Sequence, residues 1–284
     1  MPELPEVASL ARFLTEQAGG HVVTRAELAS LSALKTYDPP LSAIVGSTVG
    51  DVGRLGKYLL VPVGDVTMVI HLARGGWVHW RPALTATKPK PTSKGPLALR
   101  VGLDTGAGFD VTEQGKEKRL AVWIVREPAE IARIARLGPD PLDPGFDLAA
   151  VVAGRRAQIK GLLTDQSVIA GIGNAYSDEA LHVAKLSPFK MASSLTPDEV
   201  TRLRDAIVMV LQDAVARSDG VDAGELKSEK KSGMRVHGRD GQPCPECGDT
   251  VRSVSFATSS LQYCPTCQTG GKPLADRRLS RLLK

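Results

Sequence analysis

Four cysteines constrain this chain more than any other feature: Cys244-Pro-Glu-Cys247 and Cys264-Pro-Thr-Cys267, two C-x2-C pairs separated by sixteen residues. Each pair fits one tight hairpin, and two such hairpins can close four thiolates into a tetrahedron around a single ion. Two disulfides would require an exported chain, and the N-terminus, MPELPEV with acids at Glu3 and Glu6, carries no basic-then-apolar leader. A redox C-x-x-C would be single and would sit in a βαβ unit, which this context lacks. The expectation is one structural zinc held by Cys244, Cys247, Cys264 and Cys267.

Charge is concentrated in the same place. Of 36 Lys and Arg and 31 Asp and Glu, residues 225–284 hold 11 basic and 6 acidic side chains, so this segment carries the whole net charge of +5. A cationic module on a neutral body favours nucleic acid as the partner. No run of about 18 apolar residues is present to span a bilayer. A cytoplasmic protein with no membrane partner is expected.

The rest of the chain changes character along its length. Leu4-Pro5-Glu6 followed by Val7, Leu10, Ala11 and Leu14 has helical spacing with Pro in the first turn, and Gly19-Gly20 stops it. Short apolar runs at 58–63, 66–72, 77–80, 97–103 and 120–125, punctuated by Gly and Pro, read as strands of a sandwich or barrel. Residues 88–95 lack apolar side chains and read as an exposed loop. Beyond the Pro-rich linker Leu137-Gly-Pro-Asp-Pro141 the period becomes helical, most clearly after the capping box Thr196-Pro-Asp-Glu199. This predicts a β-rich domain over 1–137, a helical domain over 138–234, and a cysteine module with a basic tail over 235–284.

The N-terminus has a chemistry of its own. Methionine before a small residue is ordinarily removed, and Pro2 would then present a secondary amine. An α-amino group titrates about two to three units below a lysine, so near neutrality a useful fraction can attack a sugar carbon, with Glu3 beside it as general acid and base. The alternative is that Pro2 and Pro5 only rigidify the start of a helix whose dipole Glu3 and Glu6 complement.

Taken with Gly56-Lys57-Tyr58-Leu59-Leu60, His71-Leu72, Gly171-Ile172-Gly173-Asn174-Ala175-Tyr176 and the cysteine hairpins, in this order and at these separations, MPELPEV resembles the formamidopyrimidine-DNA glycosylase and endonuclease VIII family of base-excision repair enzymes. The resemblance implies an α+β multidomain fold: an N-terminal β-sandwich with flanking helices, then a C-terminal helix-two-turns-helix domain with a four-cysteine zinc finger. It implies a monomer that grips duplex DNA and flips out the damaged base. Pro2 would form a Schiff base at C1′, Glu3 would shuttle protons, and β-elimination would cut the strand. Lys57, Lys160 and Asn174 match the family's phosphate contacts, Lys57 also lying in the catalytic set, and Tyr176 and Arg239 fall on the same DNA-facing segments. Their chemistry agrees, since lysine is a point charge for phosphate and Asn174 follows a Gly-x-Gly turn. Solvated surface charge is the other reading of Lys57 and Lys160, and His71 is expected either to contact DNA in the cleft or to be a satisfied strand-end histidine.

Three departures stand out. Many relatives read His-Leu-Gly-Met-Ser-Gly where this chain has His71-Leu-Ala-Arg74-Gly-Gly76, so the group filling the space of the flipped base would be the cationic Arg74. The second insertion loop aligns with Lys118-Arg119-Leu120-Ala121, making Leu120 the wedge where an aromatic is usual. Ser259 stands where the finger normally presents an arginine. Arg277 and Arg278 of the tail are candidates to replace it, Leu279, Leu282 and Leu283 being candidates instead to pack the tail down. Residues 218–233, expected to cover the flipped base, are polar, glycine-containing and expected to be mobile. The expected function is a bifunctional DNA glycosylase and abasic-site lyase with bound zinc. The alternative is a zinc-containing damaged-DNA-binding protein of the same fold with weak or lost glycosylase activity.

Overall fold

The computed structural model describes residues 1–90, 95–256 and 259–275, so Arg277 and Arg278, the leucines of the tail and half of the 88–95 loop lie outside the described residues. The chain forms two compact units. One comprises residues 1–136 together with 217–227, the other 137–216 together with 228–284.

The first unit opens with helix α1 (Leu4–Ala18). Its start is a reciprocal cap: the Glu3 carboxylate accepts the backbone N–H of Glu6, and the Glu6 carboxylate accepts that of Glu3 at 2.8 Å. Val7, Leu10, Ala11, Leu14 and Ala18 form the buried stripe that the spacing predicts. Strands follow as β1 (Val23–Leu28), β2 (Gly53–Leu55), β3 (Tyr58–Val63), β4 (Val66–His71), β5 (Gly76–Arg81), β6 (Leu97–Leu103), β7 (Gly108–Glu113) and β8 (Ala121–Val125). They make two antiparallel four-stranded sheets, in the orders β1-β6-β7-β5 and β2-β3-β4-β8. Leu59, Met68, Ile70 and Ile124 of one sheet share a core with Leu99, Val101, Phe109 and Val111 of the other and with Leu10 and Leu14 of α1. That is the sandwich with flanking helix expected from the sequence.

Residues 217–227 join this unit because Ala223 and Leu226, 2% and 1% exposed, enter its core. The Trp77 indole N–H donates to the Ala223 carbonyl at 2.6 Å, and the Lys227 ammonium lies 4.6 Å from the centre of the Trp77 ring. The division of the chain thus differs from the sequence reading. A polar segment with two small apolar anchors is drawn onto a tryptophan that periodicity assigned only to a strand.

The second unit contains α2 (Leu148–Val152), α3 (Ile159–Thr164), α4 (Asn174–Val183) and α5 (Pro197–Arg217), with α6 (Leu226–Ser232) running across the division of the chain. The helix α5 starts on the predicted box: Glu199 N–H donates to the Thr196 hydroxyl at 3.3 Å and Thr196 N–H to the Glu199 carboxylate at 2.9 Å. Then β9 (Arg252–Ser255) and β10 (Ser260–Tyr263) pair as a hairpin, and α7 (Pro265–Thr269) follows. The cysteine module clusters with this helical unit and is not a separate body. Among the described residues no helix is long and apolar enough to cross a membrane.

Candidate active site and zinc centre

Within the first unit the expected site residues gather at three places. Pro2 and Glu3 are buried at the head of α1, with Met1 about half exposed in front of them. The Glu3 cap fixes the backbone just where a reactive amine would follow removal of Met1. Lys57, 6% exposed, precedes β3, a strand packed against α1. Next to it Tyr58 pairs across the sheet with His71, their rings 4.9 Å apart. Burial, with the positive charges of Lys57 and Arg133 added, pushes the His71 imidazole down to about 4. His71 is therefore neutral at physiological pH and reads as a strand-end side chain with a ring partner.

The third place is a pair of stitched loops. The exposed Arg74 sits in the turn between β4 and β5, where Gly76 N–H donates to the Leu72 carbonyl at 2.8 Å and a Cβ on Gly76 would lie 2.1 Å from that oxygen. Gln114 N–H donates to the Gly75 carbonyl at 3.0 Å, which ties this turn to the loop carrying Arg119. The buried Glu113 carboxylate accepts the backbone N–H groups of both Arg119 and Leu120 at 2.8–3.0 Å. Arg119 is left two-thirds exposed beside Glu117. Leu120 corrects the sequence reading: it is 2% exposed and belongs to the sandwich core, so it is not presented as a wedge. Its backbone is held inward by Glu113, a residue that sequence reasoning missed because a lone acid at a strand end carries no signal of its partner.

In the second unit the site is organised by α4, which follows the Gly171-Ile-Gly173 turn, Gly171 having φ 90°. Eight of its ten residues are buried, four of them polar: Ser177, Asp178, Glu179 and His182. Buried polar groups require partners, and here the partners are the neighbouring functional segments. Asp178 accepts from the Lys160 ammonium at 2.6 Å, pairs with His237 Nδ1 at 2.8 Å and accepts the Gln262 N–H of β10. Lys160 also donates to the Ser177 hydroxyl at 2.8 Å and the Asn174 carbonyl at 3.2 Å, so most of its capacity is spent inside the fold. Glu179 accepts the backbone N–H groups of Arg235, Val236 and His237 at 2.7–3.0 Å. Burial raises its carboxyl while those three donors oppose the rise.

Asn174 donates to the Ser260 carbonyl at 2.6 Å, and the buried Tyr176 carries the Lys230 ammonium 4.6 Å from its ring centre. Arg239 bonds Gln242 at 3.0 Å. Ser259 is exposed, its carbonyl accepting the Phe256 N–H in the turn before β10. Asp178 and Glu179, directly after the Gly-x-Gly-Asn motif, were readable as acids but not as the anchors of segments about 60 and 80 residues away.

The four cysteine sulfurs lie within 4.8 Å of one another, with Cys244 and Cys267 at 3.9 Å and Cys247 and Cys264 at 3.4 Å. Zn–S bonds of about 2.3 Å in a tetrahedron place sulfurs a little under 4 Å apart, so the donor set and its spacing fit zinc. Buried Val236 and Val251 pack around Cys244 and Cys264. Zinc is the cofactor of this module, and four thiolates leave no open coordination position, which makes its role structural.

Three family models match the chain: the formamidopyrimidine-DNA glycosylase N-terminal domain over residues 1–118, the formamidopyrimidine-DNA glycosylase H2TH domain over 137–223, and the zinc finger found in FPG and IleRS over 241–270. An uncharacterized formamidopyrimidine-DNA glycosylase-like protein of Mycobacterium tuberculosis is 64% identical over 149 residues, which cover 52% of this chain and 94% of that protein. The formamidopyrimidine-DNA glycosylase of Desulforamulus reducens is 33% identical over 282 residues, covering 94% of this chain and 99% of the relative. Among solved structures, the Lactococcus lactis Fpg in complex with DNA containing an abasic site superposes with a TM-score of 0.81 at 25% identity, covering 94% of this chain and 99% of that one. With the capped N-terminal Pro-Glu, the glycine turn that opens α4 and the four-thiolate centre in one chain, these likenesses converge: the chain belongs to the formamidopyrimidine-DNA glycosylase family.

Proposed function

We propose that the chain is a bifunctional DNA glycosylase and abasic-site lyase that removes oxidised bases from duplex DNA. The observation that carries this reading is the head of α1, where Pro2 and Glu3 are buried and the backbone between them and the helix is held by the Glu3–Glu6 cap. Once Met1 is removed, the Pro2 nitrogen attacks C1′ and the base departs with the electrons of its bond to C1′. Glu3 protonates the sugar ring oxygen as the ring opens to the iminium. Loss of a proton from C2′ then expels the 3′ phosphate by β-elimination. Lys57, Arg74, Arg119, Asn174 and Arg239 are assigned to phosphate and groove contacts, and Lys160 to holding α4 through Asp178. The Lactococcus lactis relative holding abasic-site DNA supports this choice of substrate. We place the protein in the cytoplasm as a monomer. Borohydride reduction on abasic DNA tests the reading: the protein should be trapped covalently, and Pro2→Gly should abolish trapping. Undiminished trapping by that variant would overturn it.

A second reading, a damaged-DNA-binding protein with weak glycosylase activity, is favoured by the burial of Leu120, which leaves the second loop without an exposed apolar wedge. Tight binding of lesion-containing duplex without trapping or base release would select it.

A further inference from the structure

Around the four cysteines the hydrogen bonds to sulfur come from two sources. The backbone N–H of Asp249 donates to Cys247 and that of Cys267 to Cys264, so each hairpin serves its own thiolate. Cys244 has a donor from elsewhere in the chain: His182 of α4, 62 residues away, places Nε2 at 3.2 Å from its sulfur. Both residues are buried, His182 at 1% exposure and Cys244 at 3%. The Nδ1 atom of His182 is buried with no hydrogen-bond partner among the described residues.

We propose that His182 is a positioning residue for the zinc centre, its Nε2–H donating to the Cys244 thiolate and so fastening the metal to α4. The direction of the bond follows from the chemistry of the pair. A zinc-bound thiolate carries no proton and can only accept, so the shared hydrogen belongs to Nε2. The unpartnered Nδ1 agrees, because a neutral imidazole carries one N–H, and with that hydrogen on Nε2 facing the sulfur no buried N–H is left without an acceptor. Four thiolates around Zn²⁺ leave two net negative charges, and a buried donor draws density from the sulfur it touches while reducing its tendency to leave the metal or to pick up a proton. The bond also links the zinc to the helix whose first residue, Asn174, holds β10 of the same module. Gln268 ties the module to the same region, accepting the Cys264 N–H and donating to the Leu186 carbonyl, both at 2.9 Å. These two contacts fix the position of the module, whereas the His182 bond acts on the metal's ligand itself.

The proposal rests on the reading that the four cysteines hold zinc, and the experiment separates the two. Elemental analysis of the full chain should give one zinc per molecule, and a chain without zinc would overturn the zinc reading itself. With zinc present, transfer to a chromophoric chelator is timed for the parent, His182→Phe and His182→Gln. The phenylalanine fills the site but donates nothing and should release zinc about 10-fold faster or more. The glutamine, with an amide N–H near the position of Nε2, should restore slow release. Cobalt in place of zinc should show the sulfur-to-metal charge-transfer band shifted in the Phe variant and not in the Gln variant. In the unsubstituted protein, nitrogen-15 histidine spectra should show the Nε2–H tautomer. An Nδ1–H tautomer, or a Phe variant with the parent's release rate and cobalt spectrum, would reduce His182 to a packing residue.

Discussion

The helices α1 and α4 open on residues of the proposed site in different ways. In α1 the determinants are neighbours in sequence: Glu3 and Glu6 cap each other, Pro5 suits the first turn, and the apolar stripe buries one face. In α4 the determinants are distant. Asp178 reaches His237 and Gln262, Glu179 reaches 235–237, and His182 reaches Cys244, while Lys160 comes from the helix before. The cap of the first helix is set by residues within one turn of each other, whereas the second is held by Lys160 of α3 and by segments of the zinc module about 60 to 80 residues away. The cost of disturbing them should differ accordingly, because losing a cap leaves one backbone N–H unmatched whereas losing the centre of an ionic hub leaves a charge without its counter-charge.

The largest expected effect tests chemistry at the head of α1. Glu3→Gln should keep the helix, since the amide oxygen can still accept the Glu6 N–H, yet lose base excision by about 10²-fold or more. Schiff-base formation on a pre-formed abasic site should survive better. Equal rates on a damaged base in parent and variant would show that Glu3 is only a cap.

Asp178→Ala should have the next largest effect, this time on stability. It leaves the Lys160 ammonium, 12% exposed, without its carboxylate and the Gln262 N–H without an acceptor, at a cost of about 3–5 kcal/mol. Glu6→Ala in α1 removes a local cap, for about 1 kcal/mol. Denaturant midpoints would settle the contrast, and equal losses in the two variants would break it.

The smallest effect concerns pH. The His71 imidazole is pushed down to about 4 in the folded protein, against about 6.5 when exposed. Its contribution to stability is full above pH 6.5 and falls away between 6.5 and 4, where the unfolded chain takes up a proton that the folded one resists. Replacing it as His71→Gln should flatten that part of the melting-temperature profile relative to the parent. A profile with the parent's slope would show that His71 takes up its proton equally in the folded and unfolded states.

Much of the fold was legible because its signals are local. The two C-x2-C pairs, the caps at Glu3–Glu6 and Thr196–Glu199, and the short apolar runs that became β3, β4, β6 and β8 all rest on spacing within ten residues or so. Leu120 was misread for the same reason. Next to Arg119 in an insertion loop it looked exposed, and only the buried Glu113 carboxylate turns its backbone inward. β7 was missed too: Phe109 and Val111 alternate with Asp110 and Thr112 over only four residues, and Asp110 is buried because Arg81 and Arg100 come from other strands to pair with it.

What sequence alone determined here is chemistry and punctuation: which residues can attack a sugar, ligate zinc, cap a helix or stop one, since these depend on side-chain identity and near neighbours. Tertiary structure decided which of those groups keep their charges for a ligand and which spend them inside the protein. Lys160 reads as a cation available to phosphate until Asp178 is brought beside it, and His182, which no sequence signal singles out, acquires a partner only when Cys244 arrives from 62 residues away. A group's partners across the fold set its solvation and its charge state, and chain closure over such distances leaves no periodic trace in the sequence.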